Sequence, residues 1–146
     1  MKNKIEKVKL EDLEDLLNLL YQLSPPKKEK INKRQLLNIL RKIIKDKNYY
    51  IAVYKESNEK IVGTGTLLKQ LNLSHSGRPY CHIENIVIDR NFRGRGIGKS
   101  IIDELVKKAK KENCYKVILN CQKHNILFYK KCCFEETGEM EMRKDF

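Results

Sequence analysis

A glycine-rich turn is the segment of this sequence whose residue types most directly suggest chemistry. It reads Arg93-Gly94-Arg95-Gly96-Ile97-Gly98-Lys99-Ser100 and lies between an apolar run and a helical pattern. Glycine lets the backbone approach a ligand closely and turn its N–H groups toward it. The start of a helix adds a partial positive charge. The turn therefore predicts a cradle for a phosphate or pyrophosphate group.

The glycine spacing excludes two common phosphate-binding motifs. A P-loop requires Gly-x-x-x-x-Gly-Lys-Ser/Thr, and here the first required glycine falls on Arg93. The dinucleotide fingerprint requires Gly-x-Gly-x-x-Gly, and its third position is Lys99. A turn without a ligand remains the alternative, although three glycines flanked by basic residues exceed what a turn needs.

The elements around the turn predict a mixed α/β sheet with helices on its faces. Hydrophobic periodicity and turn residues predict these elements in order: a strand at Ile5–Lys9, helices at Leu10–Tyr21 and Leu36–Ile44, strands at Tyr49–Lys55, Ile61–Leu71 and Tyr80–Ile88, a helix from Ile97, a strand at Lys116–Cys121, a short helix at Asn125–Lys131 and a last strand at Phe134–Arg143. Ser24-Pro25-Pro26 is expected to end the first helix.

Strict alternation along the strand that precedes the turn predicts which of its side chains share a face. His82, Glu84, Ile86 and Ile88 are expected on one side of the sheet. Glu84 is then a carboxylate at a buried edge, and such a group usually has a partner or a ligand. An ion pair is the structural alternative to substrate contact.

Composition predicts one domain, residues 1–146, in a reducing cytoplasm. No apolar run reaches the length of a membrane span, and the N-terminus lacks the apolar stretch of a secretory signal. The five cysteines are an odd number without C-x-x-C, which favours free thiols over disulfides or a zinc site. The net charge of +12 is spread along the chain, so small anionic ligands are favoured over nucleic acid.

The segment Arg93–Gly98 matches the Arg/Gln-x-x-Gly-x-Gly/Ala signature of the GNAT acetyltransferase superfamily. The predicted order of strands and helices also resembles that superfamily. The resemblance implies the GNAT fold, an α/β fold with a mixed, mostly antiparallel central sheet and helices on both faces. It also implies acetyl-CoA as cosubstrate, with its pyrophosphate on the backbone amides of the turn.

Three further blocks resemble one family within that superfamily, the glucosamine 6-phosphate N-acetyltransferases. They are His82-Ile83-Glu84-Asn85, Cys114-Tyr115-Lys116, and the segment from Asn125 through Phe128-Tyr129-Lys130-Lys131-Cys132 to Phe134. The resemblance implies direct attack of the amine of glucosamine 6-phosphate on acetyl-CoA in a ternary complex. The implied product is N-acetylglucosamine 6-phosphate, which enters UDP-N-acetylglucosamine synthesis. The resemblance also implies that the enzyme is a homodimer and uses no metal.

The resemblance also assigns residue roles. Tyr129 would serve the departing thiolate as an acid, beside the catalytic candidates Glu84 and Asn120, and a core tyrosine is the alternative. Acetyl-CoA would contact Ile86, Val87, Ile88, Arg93, Gly94, Arg95, Gly96, Ile97, Gly98, Lys99, Asn125, Tyr129 and Lys131. The sugar phosphate would contact Ser24, Asn72, His75, Glu84, Asn85, Tyr115, Lys116, Asn120 and Arg143, the last reaching a neighbouring subunit.

The sequence departs from the family pattern at four positions. Asn85 and Asn120 replace aspartates, and Cys81 and Cys133 replace glycines. Without its carboxylate, position 120 is expected to act through its backbone carbonyl, which accepts a hydrogen bond from the amine.

Two other functions remain as alternatives. One is another GNAT enzyme that acetylates a protein or polyamine amine, although a basic surface disfavours cationic acceptors. The other is a module that binds acyl-CoA or nucleic acid without turnover, against which the presence of Tyr129 and Glu84 argues.

Overall fold

The protein is built around a mostly antiparallel sheet whose strands lie in chain order. The structure is a computed structural model, and it describes residues 4–26 and 32–146. Its elements are β1 (Lys4–Lys7), α1 (Leu13–Leu23), α2 (Lys33–Lys45), β2 (Tyr49–Lys55), β3 (Ile61–Gln70), β4 (Tyr80–Ile88), α3 (Ile97–Lys111), β5 (Val117–Ile118) and α4 (Ile126–Lys131). Strands β1 to β4 pair antiparallel, and β5 joins β4 in parallel.

Helices cover both faces of the sheet, as predicted. Helices α1 and α2 bury Leu16, Leu19 and Leu40 against one face. Helix α3 buries Ile101 and Leu105 against the other. Each helix has one apolar stripe, so burying it on the sheet supplies the main favourable free energy of the fold.

The boundaries of the central elements agree with the sequence pattern. The predicted bounds of β2 and β4 are confirmed. Helix α1 ends at Leu23, directly before the predicted stop at Ser24, whose backbone N–H donates to the carbonyl of Leu20. Helix α1 begins later than predicted, because Leu10–Asp12 forms a 3-10 turn before it.

The hydrophobic pattern predicts the two C-terminal strands incorrectly. Strand β5 is only Val117–Ile118, shorter than the predicted Lys116–Cys121. The strand predicted at Phe134–Arg143 is wrong, because this segment has no regular secondary structure. A strand requires a neighbour for its backbone hydrogen bonds. Within the described part of the chain, no strand pairs with residues 134–143.

A β-bulge in β4 changes which residues face the cleft. Thr66 pairs with Glu84 and Thr64 pairs with Val87, so two steps along β3 lie opposite three steps along β4. The extra residue lies at Asn85, whose φ of 54° is left-handed. Asparagine tolerates that conformation better than most residues, because its short side chain bonds locally.

Two predictions for β4 are wrong: that its alternate residues from His82 to Ile88 share one face, and that Glu84 lies at a buried edge. Ile86 and Ile88 pack toward α3, on the same face as Ile83. His82 and Glu84 alternate with Ile83 and therefore face the other side of the sheet. Glu84 is also exposed, not buried at an edge.

A buried ion cluster joins the start of α1 to β2. The Lys55 ammonium lies 2.8 Å from the Asp12 carboxylate and 2.9 Å from that of Glu6, and Lys55 is only 4% exposed. Burial by itself lowers the pKa of Lys55, but hydrogen bonds to the two carboxylates outweigh it and raise the net pKa. The ammonium therefore stays charged and compensates the buried Asp12.

Replacing Lys55 with methionine is expected to lower the free energy of unfolding by about 2 kcal/mol, because Asp12 loses its counter-charge. The loss falls below that of a fully buried pair, since Asp12 keeps the backbone N–H of Lys9 at 2.8 Å. Urea unfolding measures it. The control is Lys107→Met at a side chain 64% exposed, which is expected to change stability by less than about 0.5 kcal/mol. Equal losses in both variants would contradict this account.

Candidate active site

The described residues contain a cleft of about 960 Å³ beside β4. The pairing of β4 with β5 includes only Cys81–His82 with Val117–Ile118, so residues 83–88 of β4 have no partner in β5. The cleft is lined by residues 83–88 of β4, the glycine-rich turn, residues 120–122, parts of α4 and the last residues of α1. The sheet thus brings into one cavity segments that are far apart in sequence.

The glycine-rich turn forms one wall of this cleft. Gly94 and Gly96 both have φ of 77°, and a Cβ built on either would meet no atom within 4 Å. Gly96 is the N-cap of α3, and its carbonyl accepts the backbone N–H of Ser100 at 3.0 Å. The backbone N–H groups between Gly96 and Ser100 precede the first helical hydrogen bond, so they have no acceptor within the helix and need other partners. This wall fits a pyrophosphate group, because it combines open space, donors and a helix N-terminus.

The basic residues of the turn take different positions. Arg93 lines the cleft and donates from Nε to the carbonyl of Ile88 at 3.2 Å. Lys99 lines it as well, paired with Asp103 at 2.6 Å. Arg95, predicted to contact acetyl-CoA, lies outside the lining, and its guanidinium stacks 4.8 Å from the Phe92 ring centroid.

Helix α4 brings Tyr129 into the lining of the same cleft. The ring is partly buried and meets Phe128 edge-on at 5.0 Å and Phe134 at 6.1 Å. Burial raises the pKa of the Tyr129 phenol above its ordinary value of 10.0. The phenol therefore keeps its proton at neutral pH and is available as a hydrogen-bond donor or an acid.

The C-terminus of α4 has the hydrogen bonds of a Schellman motif. Phe134 donates its backbone N–H to the carbonyl of Tyr129 at 3.1 Å, and Cys133 donates to Lys130 at 3.0 Å. Cys133 occupies the left-handed position with φ of 65°, where glycine is favoured. This cysteine, unlike the glycine that it replaces, carries a Cβ in a strained conformation.

Cys133→Gly is expected to raise the free energy of unfolding by about 1 kcal/mol, because it removes this strain. Thermal unfolding under reducing conditions measures the change. Cys133→Ala serves as the control, since it removes the thiol but keeps the Cβ, and it is expected to give no gain. A gain of the same size in both variants would attribute the effect to the thiol instead.

Most of the other predicted site residues lie at the cleft. Its lining includes Ile86, Val87, Ile88, Ile97 and Gly98 from the acetyl-CoA set, together with Glu84, Asn85, Asn120, Asn125 and Lys131. Ser24 lies outside the lining but directly follows Leu23, which is part of it.

The remaining predicted substrate residues lie outside the cleft lining. The His75 ring stacks on Tyr115 at 3.9 Å, and the Lys116 ammonium lies 5.6 Å from the same tyrosine ring. These three residues form a second group, which we call the His75 cluster. Asn72 hydrogen-bonds Ser74 at 2.8 Å on the loop that carries His75, and Arg143 pairs with Asp145 on the exposed C-terminal segment.

Several lining residues were not predicted from the sequence. They are Gln22, Leu23, Ile83, Phe92, Cys121, Gln122, His124, Phe128 and Cys132. Gln22 and Leu23 occur in an ordinary amphipathic helix pattern, and only the packing of α1 beside β4 brings them here. Phe128 belongs to a block already singled out, so its proximity to Tyr129 was the available signal.

Comparison with known proteins identifies the family. A profile described as "Acetyltransferase (GNAT) family" matches residues 10–134, which include the cleft walls described above. The chain belongs to the GNAT acetyltransferase family. Enzymes of this family use acetyl-CoA, in agreement with the wall that fits a pyrophosphate group.

Relatives of this GNAT protein include proteins named glucosamine 6-phosphate N-acetyltransferase. Glucosamine 6-phosphate N-acetyltransferase 1 of Dictyostelium discoideum is 35% identical over 112 residues, covering 75% of this chain and 71% of the relative. The crystal structure of glucosamine-6-phosphate N-acetyltransferase from Arabidopsis thaliana superposes with a TM-score of 0.90 at 29% identity, covering 100% of this chain and 99% of that one. A Trypanosoma brucei acetyltransferase gives a TM-score of 0.89 at 29% identity, covering 99% and 100%.

Residues 4–26 and 32–146 contain neither a candidate membrane span nor a candidate metal site. None of the helices there has the length and apolar character needed to cross a bilayer. No group of three or more His, Cys, Asp or Glu side chains is arranged to hold a metal ion in that part of the chain.

Proposed function

We propose that this protein is a glucosamine 6-phosphate N-acetyltransferase. It transfers the acetyl group of acetyl-CoA to the amine of D-glucosamine 6-phosphate and releases N-acetyl-D-glucosamine 6-phosphate and CoA. The observation that carries the proposal is one cleft whose lining holds both a phosphate cradle and a partly buried phenol that keeps its proton at neutral pH, because burial raises the pKa of Tyr129. The names of the curated relatives support the acceptor.

On the donor side, the glycine-rich turn binds the pyrophosphate and the edge of β4 binds the acyl arm. The backbone from Ile86 to Ile88 lines the cleft beyond the last pairing with β5. It therefore presents polar groups that hydrogen-bond the pantetheine chain and the thioester oxygen. Tyr129 keeps its proton at neutral pH and provides it to the departing thiolate, and the proton that the amine loses on forming the amide passes to solvent, from which the phenolate is reprotonated. Attack is direct, so no covalent enzyme intermediate forms.

On the acceptor side, the amine lies between Glu84 and Asn120. Both residues line the cleft, Glu84 on β4 and Asn120 two residues after the end of β5. Glu84 is an exposed carboxylate and accepts hydrogen bonds from the sugar or its amine. Asn120 has no titratable side chain, so its backbone carbonyl accepts from the attacking amine. Asn85 binds the sugar from the bulge between them.

The phosphate of the sugar needs cations that the cleft walls near Glu84 do not provide. We assign this role to Lys116 of the His75 cluster and to Arg143 of a second copy of the chain. Arg143 lies on an exposed C-terminal segment, where Met140 and Met142 also expose apolar side chains. A homodimer that covers this segment and completes each site with Arg143 of the other copy accounts for both features.

The homodimer can be tested by mixing two variants that are each impaired in a different residue of the shared site. Arg143→Ala is expected to raise the KM for the sugar phosphate about tenfold or more, because a charged contact is lost. Heterodimers of Arg143→Ala with Tyr129→Phe are expected to regain activity, because one of their two sites has both residues intact. Activity is measured in heterodimers purified with two different tags. Heterodimers with no activity above the parent variants would exclude a shared site.

Physiologically, the proposed reaction supplies UDP-N-acetylglucosamine synthesis in the cytoplasm, and the five free cysteines fit a reducing compartment. One domain over residues 1–146, without metal, membrane or nucleic-acid partners, completes the proposal.

The decisive experiment is an acceptor competition. Glucosamine 6-phosphate, glucosamine, a lysine peptide and spermidine are mixed with acetyl-CoA and the protein. Products are identified by mass spectrometry, since five protein thiols would contaminate a CoA-thiol assay. Selective acetylation of the phosphosugar is the expected result. Acetylation of the peptide or the polyamine instead would retain the family and overturn the acceptor.

A further inference from the structure

The side chain of Gln22 connects α1 with the segment that leads into the glycine-rich turn. Its amide nitrogen Nε2 donates to the Asp89 carboxylate at 3.3 Å. Its carbonyl Oε1 accepts the backbone N–H of Arg90 at 3.2 Å. The two groups of one amide thus bind two adjacent residues that lie 67 and 68 positions further along the chain.

Burial and further hydrogen bonds hold Asp89 in place. It is only 8% exposed, and its carboxylate also accepts the backbone N–H of Asn91 at 2.9 Å. Its own backbone N–H donates to the carbonyl of Val62 on β3 at 2.9 Å. An ionised carboxylate accepts hydrogen bonds but donates none, so the Gln22 amide must present its NH₂ group to Asp89. That orientation leaves the Gln22 carbonyl for Arg90.

Both ends of the connection form walls of the cleft. Gln22 and Leu23 line it from α1, and the segment that follows Asp89 lines it from Phe92 to Lys99, with the exception of Arg95. Beyond Arg90, the turn crosses two left-handed glycines before Ile97 anchors it in the core. A side chain that holds the start of this segment therefore influences where its amide groups point.

We propose that Gln22 is a positioning residue for acetyl-CoA binding: it holds the phosphate-binding turn at a set distance from the end of α1. This inference rests on the proposed function, because it assigns the turn to the pyrophosphate of CoA. Gln22 acts through Asp89 and Arg90 and not on the reacting atoms. Loss of the Gln22 side chain is therefore expected to lower kcat/KM most for acetyl donors that bind the turn through a pyrophosphate.

The first test measures CoA binding by calorimetry. Gln22→Ala is expected to weaken CoA about 5- to 20-fold, since both hydrogen bonds to the turn are lost. Gln22→Glu is expected to weaken it at least as much, because a second carboxylate then faces Asp89. Gln35→Ala, at an exposed position of α2 outside the cleft lining, is the control and is expected to leave CoA affinity unchanged.

The second test separates positioning from a general loss of structure. S-acetylpantetheine lacks the pyrophosphate and does not use the turn. In Gln22→Ala, kcat/KM with acetyl-CoA is expected to fall about 5- to 20-fold by the same loss of contacts. With S-acetylpantetheine it is expected to stay within about twofold of the unaltered protein.

Two results would overturn the inference alone: unchanged CoA affinity in Gln22→Ala, or equal falls in kcat/KM with both donors. Unaltered protein that binds no CoA would overturn the proposed function as well. Calorimetry uses no acceptor, so an incorrect sugar assignment does not affect the first test.

Discussion

Tyr129→Phe is expected to lower kcat about 10- to 100-fold while leaving the affinity for CoA nearly unchanged. The substitution removes only the phenol oxygen, and the packing of the ring against Phe128 and Phe134 is retained. The loss arises in the chemical step because a departing thiolate without a nearby proton is a poorer leaving group. Steady-state kinetics with glucosamine 6-phosphate and calorimetry with CoA measure the two quantities separately.

A second tyrosine makes the matched control. Tyr54 on β2 packs against the same core as Tyr129 but lies outside the cleft lining. Tyr54→Phe also deletes one phenol oxygen, and it is expected to leave kcat unchanged. Because burial raises the pKa of Tyr129, its proton remains available across the neutral range, and loss of activity from its ionisation is expected only above pH 10. Unchanged turnover in Tyr129→Phe would remove this residue from the acid role.

Gly96→Val is expected to weaken CoA binding about 100-fold or more. The valine side chain would occupy the open space in front of the cradle, where a Cβ at Gly96 meets no atom within 4 Å. A bound phosphate must come within hydrogen-bond distance of the backbone amides there, and each charge-assisted bond that is lost costs about 1.5–3 kcal/mol. The φ of 77° adds strain, since a β-branched residue is strongly disfavoured in that conformation.

Gly138 allows strain to be separated from obstruction. Its φ of 78° is almost the same, its Cβ position is equally open, and it lies outside the cleft lining. Gly138→Val is therefore expected to carry a similar backbone strain without loss of CoA affinity. Calorimetry on both variants, after circular dichroism has shown that each is folded, makes the comparison. Retained CoA affinity in Gly96→Val would overturn the assignment of the cradle.

The site could be predicted unevenly, and the reasons are physical. All three basic residues of the turn are predicted to contact acetyl-CoA; Arg93 and Lys99 line the cleft, whereas Arg95 lies outside its lining with its guanidinium over the Phe92 ring. A glycine motif specifies a backbone shape, but the direction of each flanking side chain depends on neighbours that the motif does not contain. Gln22 illustrates the same limit, because only the packing of α1 beside β4 brings it to the turn.

The sequence by itself determined the central elements, the cradle and the family resemblance, because these depend on local periodicity, turn chemistry and glycine spacing. Only the tertiary structure decided the bulge at Asn85, which places Ile86 on the α3 face and Glu84 on the other. It also decided that residues 134–143 form no strand within the described chain. Both outcomes depend on pairing between strands, and a register or a missing neighbour is a relation between distant segments that no local pattern contains.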